Sequence, residues 1–83
     1  MKLLKFEAEW CGPCSAMDRE LDKCNSEFTL VRVNIEKDTR VTRLYHVRAV
    51  PTLILLDDND IELARLAGRQ NAASIDRFVN DAA

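Results

Sequence analysis

The chain has 83 residues, 12 Lys and Arg against 14 Asp and Glu, a formal net charge of -2, 47% hydrophobic and 31% charged residues. That length suits one domain over residues 1–83, close to the size at which a single core only just outweighs chain entropy. The balance of charge lacks the basic face that nucleic acid demands, and the longest apolar run, residues 50–56, falls far short of a membrane span.

Residues 3–8 open the chain with Leu3, Leu4, Phe6 and Ala8, too many apolar positions for a half-exposed strand, so a buried one is predicted. A helix is predicted over 13–25. Met17, Leu21 and Cys24 recur on one face at i, i+4 and i+7, and most of the charges fall on the other. The β-branched run at 28–35 reads as a second strand, parallel to the first because a helix joins them. A short helix over 39–45 opens behind Asp38 or Thr39 as N-cap, with Val41, Leu44 and Tyr45 on one face. Strands at 52–56 and 61–66 flank the turn Asp57-Asp58-Asn59-Asp60 and pair as an antiparallel hairpin. After Gly68, Asn71 caps a last helix whose Ile75, Phe78, Val79 and Ala82 fall at i, i+3, i+4 and i+7. The element order is therefore βαβαββα, an α/β chain with a four-stranded mixed sheet flanked by three helices.

The chemistry sits in Trp10-Cys11-Gly12-Pro13-Cys14, at the first strand-to-helix turn. A disulfide between residues only three apart removes little entropy from the unfolded chain, so it stabilises the fold weakly and opens and closes easily. A helix starting after Cys11 aims its unpaired N–H groups and positive dipole end at that sulfur, which favours the thiolate. Cys11 is thus the expected attacking thiol. Pro13 suits the first helical turn, and Cys14, within the helix and less exposed, is the expected resolving thiol. The odd count of 3 cysteines, with no signal-peptide pattern ahead of them, argues for redox or metal chemistry in the cytoplasm rather than a secreted disulfide framework.

A zinc site would have to add Cys24 and His46 to the pair. On a continuous helix Cys24 lies about 15 Å from Cys14, at about 1.5 Å per residue, whereas sulfurs on one zinc lie within about 4 Å of each other. Cys24 then reads as a packing residue and His46 as a solvated histidine at a helix end. Arg32, Lys37, Arg40, Arg43 and Arg48 stand against only Glu36 and Asp38 in residues 32–48. That local excess is a solvated face or a docking patch for an acidic partner.

The dithiol motif in this element order, with Val33-Asn34-Ile35-Glu36, Val50-Pro51-Thr52 and Gly68, resembles the thioredoxin family over nearly the whole chain. The resemblance implies the thioredoxin-like fold and reduction of protein disulfides by Cys11 and Cys14. It implies a cis peptide bond before Pro51, facing the dithiol, and a groove for an extended substrate segment along Val50, lined by Trp10, Gly12, Pro13 and Gly68. It further implies re-reduction by a flavin- and NADPH-dependent thioredoxin reductase and so no bound cofactor; with metal, nucleic acid and membrane set aside on the grounds above, a monomer is expected. A glutaredoxin-like, glutathione-recharged reductase is an alternative, although Gly68-Arg69-Gln70-Asn71 lacks the Gly-Gly and acidic residue that glutaredoxins use for the glutathione amine. A non-catalytic interaction module is another.

Two departures from the family stand out. The usual extra strand and helix at the start are missing, which leaves the 28–35 strand at the sheet edge, with Arg32 to protect it. Lys5 occupies the place of the family's buried Asp, six residues before Cys11. Alternation puts Lys5 on the face of Leu3 and Glu7, where its ammonium needs a partner, Glu7 being the nearest candidate, or a route to water. One expectation is that only its stem is buried and the charge escapes past the sheet end. The other is that it reaches the motif, lowers the Cys11 pKa and makes the protein a weaker reductant.

Overall fold

The computed structural model describes the whole chain, Met1–Ala83. Its elements are β1 (Lys2–Glu7), α1 (Gly12–Asp22), β2 (Thr29–Asn34), α2 (Thr39–Leu44), β3 (Thr52–Leu56), β4 (Glu62–Ala67) and α3 (Ala72–Ala82). The strands form one four-stranded sheet in the order β2-β1-β3-β4. β1 runs parallel to β2 and antiparallel to β3, and β4 returns antiparallel along β3. The apolar sequences of β1 and β3 follow from this order, because both lie in the middle of the sheet and every residue of β3 is buried.

Strand alternation divides the core into two layers. Leu3 of β1 and Leu53 and Leu55 of β3 meet Met17 and Leu21 of α1 and Ile75 and Val79 of α3. On the opposite face Leu4, Phe6, Val33, Ile54 and Leu56 pack with Val41 and Tyr45 around α2. Phe6 and Tyr45 stack edge to face at 6.0 Å between ring centroids.

Element bounds shift slightly from the sequence pattern, and three helix ends show why. Helix α1 stops at Asp22 rather than near 25. The N–H groups of Asn25 and Ser26 donate instead to the Asp76 carboxylate of α3, at 3.1 and 3.0 Å. Those bonds, led by the one from the Ser26 hydroxyl, hold the Asp76 carboxyl below its ordinary pKa. Asp38 stands at the N-cap of α2 without capping it, because its carboxylate accepts the Asn34 N–H at 3.1 Å. After Tyr45, His46 takes a left-handed conformation, φ 54°, of the kind that terminates helices. Asn71 caps α3 as expected, accepting the Ser74 N–H at 2.9 Å.

Helix α3 touches the sheet through few large side chains, so its attachment is sensitive to each. Ile75 is fully buried, and Ile75→Ala is expected to lower stability by about 2–5 kcal/mol. Ile61, 60% exposed, makes the control, and Ile61→Ala is expected to change stability by no more than about 0.5 kcal/mol. Urea midpoints of the two variants check the contrast.

Candidate functional site

Cys11 and Cys14 are joined by a disulfide, with 5.3 Å between their Cα atoms. Cys11 is the N-cap of α1, in extended conformation, and its Sγ accepts the Cys14 N–H at 3.1 Å. Pro13 occupies the first turn, where its missing N–H leaves nothing unpaired. One of the orphan donors of the first turn therefore points at the Cys11 sulfur, the arrangement that stabilises a thiolate there. Both cysteines are buried in the disulfide form, Cys11 at 4% and Cys14 at 2% exposure. The expected contrast in exposure is thus slight, because Ala8, Ile35 and Val50 close around the pair. The difference between the two sulfurs lies in hydrogen bonding.

Beneath Cys14 lies a charged cluster that ties three elements together. Lys5 is fully buried, ammonium included, so its charge does not escape past the end of the sheet. Its Nζ donates to the Cys14 carbonyl at 2.8 Å and to Asp18 Oδ1 at 2.6 Å, and pairs with Glu7 Oε1 at 2.8 Å. Arg32, on β2, donates to the same two carboxylate oxygens, at 2.9 Å for Glu7 and 2.8 Å for Asp18. Two cations and two carboxylates thus form a neutral quartet, and no buried side-chain nitrogen or oxygen is left without a partner. Burial works against ionisation of Asp18, but the hydrogen bonds from Lys5 and Arg32 win and hold its carboxyl below the ordinary value. A polar cavity of about 130 Å³ lies between Cys14, Lys5, Glu7 and Asp18.

The magnitudes single this quartet out among the ion pairs. Pairs such as Lys2 with Asp60 lie at the surface, where solvent screens them and they add little to stability. In the quartet only Lys5 is fully buried, its three partners being partly exposed, so the cost falls on leaving that one charge uncompensated, an effect of about 3–5 kcal/mol in fully buried pairs. Glu7 was legible as a partner from its place on the same strand face. Asp18 and Arg32 were missed. The one sequence signal was that Asp18 lies i+4 from Cys14 on α1; Arg32 becomes the cross-strand neighbour of Lys5 only through the β1–β2 register.

The rim of the site is built from the ends of β3 and β4. The Val50-Pro51 peptide bond is cis. The antiparallel register pairs Phe6 with Thr52, which brings Val50 and Pro51 to the sheet end from which Cys11 emerges. Val50 packs on the dithiol, and the Pro51 carbonyl accepts the Gly68 N–H at 2.8 Å. Gly68 has φ 89°, a conformation that favours glycine at this junction. Across the dithiol, Trp10 is 67% exposed and donates from Nε1 to Glu36 at 2.9 Å. A Cβ at Gly12 would meet nothing within 4 Å.

Two residues weighed in the sequence lie away from this site. Cys24 packs at the far end of α1 against the Glu20 carbonyl, 3.4 Å away, and burial pushes its thiol up to about 11. His46 lies on the surface after α2.

A disulfide closed over so few residues at the mouth of a helix, beside free backbone, exchanges electrons with disulfides brought to it. Chemistry and fold together define a thiol-disulfide oxidoreductase. The comparisons with known proteins agree. A family model described as Thioredoxin matches residues 1–81, and the chain belongs to the thioredoxin family. It is 33% identical over 81 residues to a thioredoxin of Chlamydia pneumoniae, covering 94% of this chain and 78% of that protein. Identity to a thioredoxin of Chlamydia caviae is 36%, with the same coverage. Among solved structures, the germline-specific thioredoxin Deadhead of Drosophila melanogaster superposes with a TM-score of 0.82 at 29% identity, over 95% of this chain and 77% of that one. A mutant thioredoxin from Halobacterium salinarum reaches a TM-score of 0.86 at 23% identity, over 95% and 71%, and supports the fold. No helix is long and apolar enough to cross a membrane.

The quartet makes stability depend on acid in a defined direction. Because the Asp18 carboxyl is held below its ordinary value, its contribution is present above the unfolded pKa of about 3.9 and is lost as pH falls through the lower folded value. Asp18→Asn is therefore expected to lower the urea midpoint at pH 7 and to lower it by less at pH 3, a difference read by denaturation at the two pH values.

Proposed function

We propose that this protein reduces disulfides in other proteins, with Cys11 as nucleophile and Cys14 as resolving thiol. The observation that carries the assignment is the asymmetric hydrogen bonding of the pair, in which the Cys14 N–H is aimed at the Cys11 sulfur. The Cys11 thiolate attacks one sulfur of the substrate disulfide, forming a mixed disulfide and releasing the other substrate sulfur as a thiolate. Cys14, as thiolate, then attacks Cys11, which frees the second substrate thiol and leaves the protein oxidised. Two electrons pass to the substrate in each cycle.

In this reading an extended substrate segment docks along the Val50 backbone beside Pro51, with Trp10, Gly12, Pro13 and Gly68 around it. The chain acts as one domain over residues 1–83, as a monomer in a reducing compartment such as the cytoplasm. Its own chemistry needs no bound cofactor. Electrons come from a flavin- and NADPH-dependent thioredoxin reductase, a partner suggested by the family. The segment Gly68-Arg69-Gln70-Asn71 speaks against glutathione as the donor. Supplying the reductase with NADPH, or glutathione alone, and following reduction of the disulfide discriminates between the two donors.

Cys14→Ser blocks the second step. Incubated with a protein disulfide, the reduced variant is expected to accumulate a mixed disulfide through Cys11, seen by mass spectrometry of the digested adduct. Attachment at Cys24 overturns the assignment.

Lys5 modulates the dithiol in this scheme by reaching the motif from beneath. Its ammonium ends on the Cys14 carbonyl, with its charge balanced by Glu7 and Asp18. Lys5→Met leaves two carboxylates and one arginine under the thiols, a net negative charge that disfavours thiolates. The thiol pKa read from the pH dependence of alkylation is expected to rise in Lys5→Met. In the charge-balanced double variant Lys5→Met with Asp18→Asn it is expected to fall back toward the parent value. Equal values in all three proteins would falsify the coupling.

A further inference from the structure

From Thr39 to Leu56 the chain contains no Asp or Glu, although it carries Arg40, Arg43 and Arg48. Across the 12 lysines and arginines, Lys2, Lys5, Lys23, Arg32, Lys37 and Arg65 are neutralised by carboxylates within ion-pair distance. Arg40, Arg43 and Arg48 are exposed and have no such partner; exposed Arg69 has none within ion-pair distance either, although its charge is among those that hold the Glu20 carboxyl below its ordinary value. Arg19 on α1 and Arg77 on α3 are likewise exposed and unpaired, so four of the six free guanidinium groups belong to α2, the segment before β3 and the segment after β4. Arg40 and Arg43 share a face of α2 at i and i+3, and the chain runs from there to Arg48 and the dithiol.

Two of them stand at the reactive rim. Arg48 stands two residues before Val50, which packs on Cys11 and Cys14. The backbone between them is held by the Thr52 hydroxyl, which donates to the Ala49 carbonyl at 2.6 Å. Arg69 directly follows Gly68, whose N–H is bonded to the Pro51 carbonyl at 2.8 Å. In the antiparallel register both arginines therefore lie beyond the Val50-Pro51 and Gly68 rung, at the sheet end that carries the dithiol. The other side of the dithiol has the opposite character. There Glu9 pairs with Lys37 at 3.2 Å, and Glu36 accepts the Trp10 indole N–H.

We propose that Arg48 and Arg69, backed by the field of Arg40 and Arg43, select protein disulfides whose attacked cysteine lies in an acidic segment. The proposal rests on the docking reading given above, in which the substrate chain lies along Val50. Asp or Glu residues within a few positions of the substrate cysteine then fall over the two guanidinium groups, which bind carboxylates through paired N–H donors. A lysine-rich segment is repelled from the same place. Because these groups are exposed, the selection acts chiefly on the rate of encounter and weakens with salt.

The test uses three peptides of equal length, each with one intramolecular disulfide, flanked by Asp and Glu, by Ser, or by Lys and Arg. The reduced protein is mixed with each at low and high ionic strength, and every rate is divided by that of dithiothreitol, a reductant with no charged group besides its reacting thiolate. The division removes the effect of the flanks on the leaving thiol. At low salt the normalised rate is expected to be about tenfold higher for the acidic than for the basic peptide, within the range of electrostatic steering. The ratio should approach one at high salt and in the double variant Arg48→Ser with Arg69→Ser. Arg19→Ser, which alters an unpaired arginine on α1, should retain the preference. Equal normalised rates for the three peptides, or a ratio unchanged in the double variant, overturn the proposal while leaving the dithiol reading intact. Failure to reduce any peptide overturns both.

Discussion

The constraint on which the site depends is the burial of one ammonium group. Lys5 lies on the central strand, on a face that α1 and α3 cover, and a lone charge there is unfavourable by several kcal/mol. It is tolerated because Glu7, Asp18 and the Cys14 carbonyl converge on it from β1 and α1. Arg32 closes the ring from β2. The requirement to satisfy this charge therefore fixes how α1 sits on the sheet, and with it the first turn that presents Cys11. An apolar residue at position 5 would not bind the Cys14 carbonyl or hold two carboxylates together.

Much of this organisation is legible in the amino-acid sequence. The apolar runs of β1 and β3 announce central strands, the Asn71 cap and the 3.6-residue period announce α3, and the spacing of Cys11 and Cys14 announces redox chemistry. What sequence could not supply is the third dimension of the charge cluster. Glu7 is a neighbour of Lys5 along a strand, and so it could be named in advance. Asp18 and Arg32 become neighbours only once the helix is laid on the sheet and the β1–β2 register is set. The early end of α1 was hidden for the same reason, since the carboxylate that captures its trailing N–H groups belongs to α3. Asp38, a plausible cap by residue type, was drawn away by a nearer backbone donor at Asn34.

The dithiol and its rim come from different parts of the topology. A parallel βαβ unit delivers the sulfurs at a helix mouth, while the antiparallel pairs bring the Val50-Pro51 peptide and Gly68 to the same sheet end. Neither half would make a site alone. Because β1 takes part in both pairings, it carries the alignment of sulfur against backbone, and its buried residues Leu4 and Phe6 serve function by holding that alignment.

The empty space around Gly12 gives the site an unusual freedom. A side chain added there would press on no neighbouring atom, so the position between the two cysteines is not constrained by packing. Its residue is answerable to the electronics of the sulfurs and the shape of the approaching partner, while folding is decided elsewhere. At the residue nearest the chemistry, sequence change can therefore alter the surroundings of the sulfurs with no packing cost, leaving only the difference in helix propensity to bear on folding.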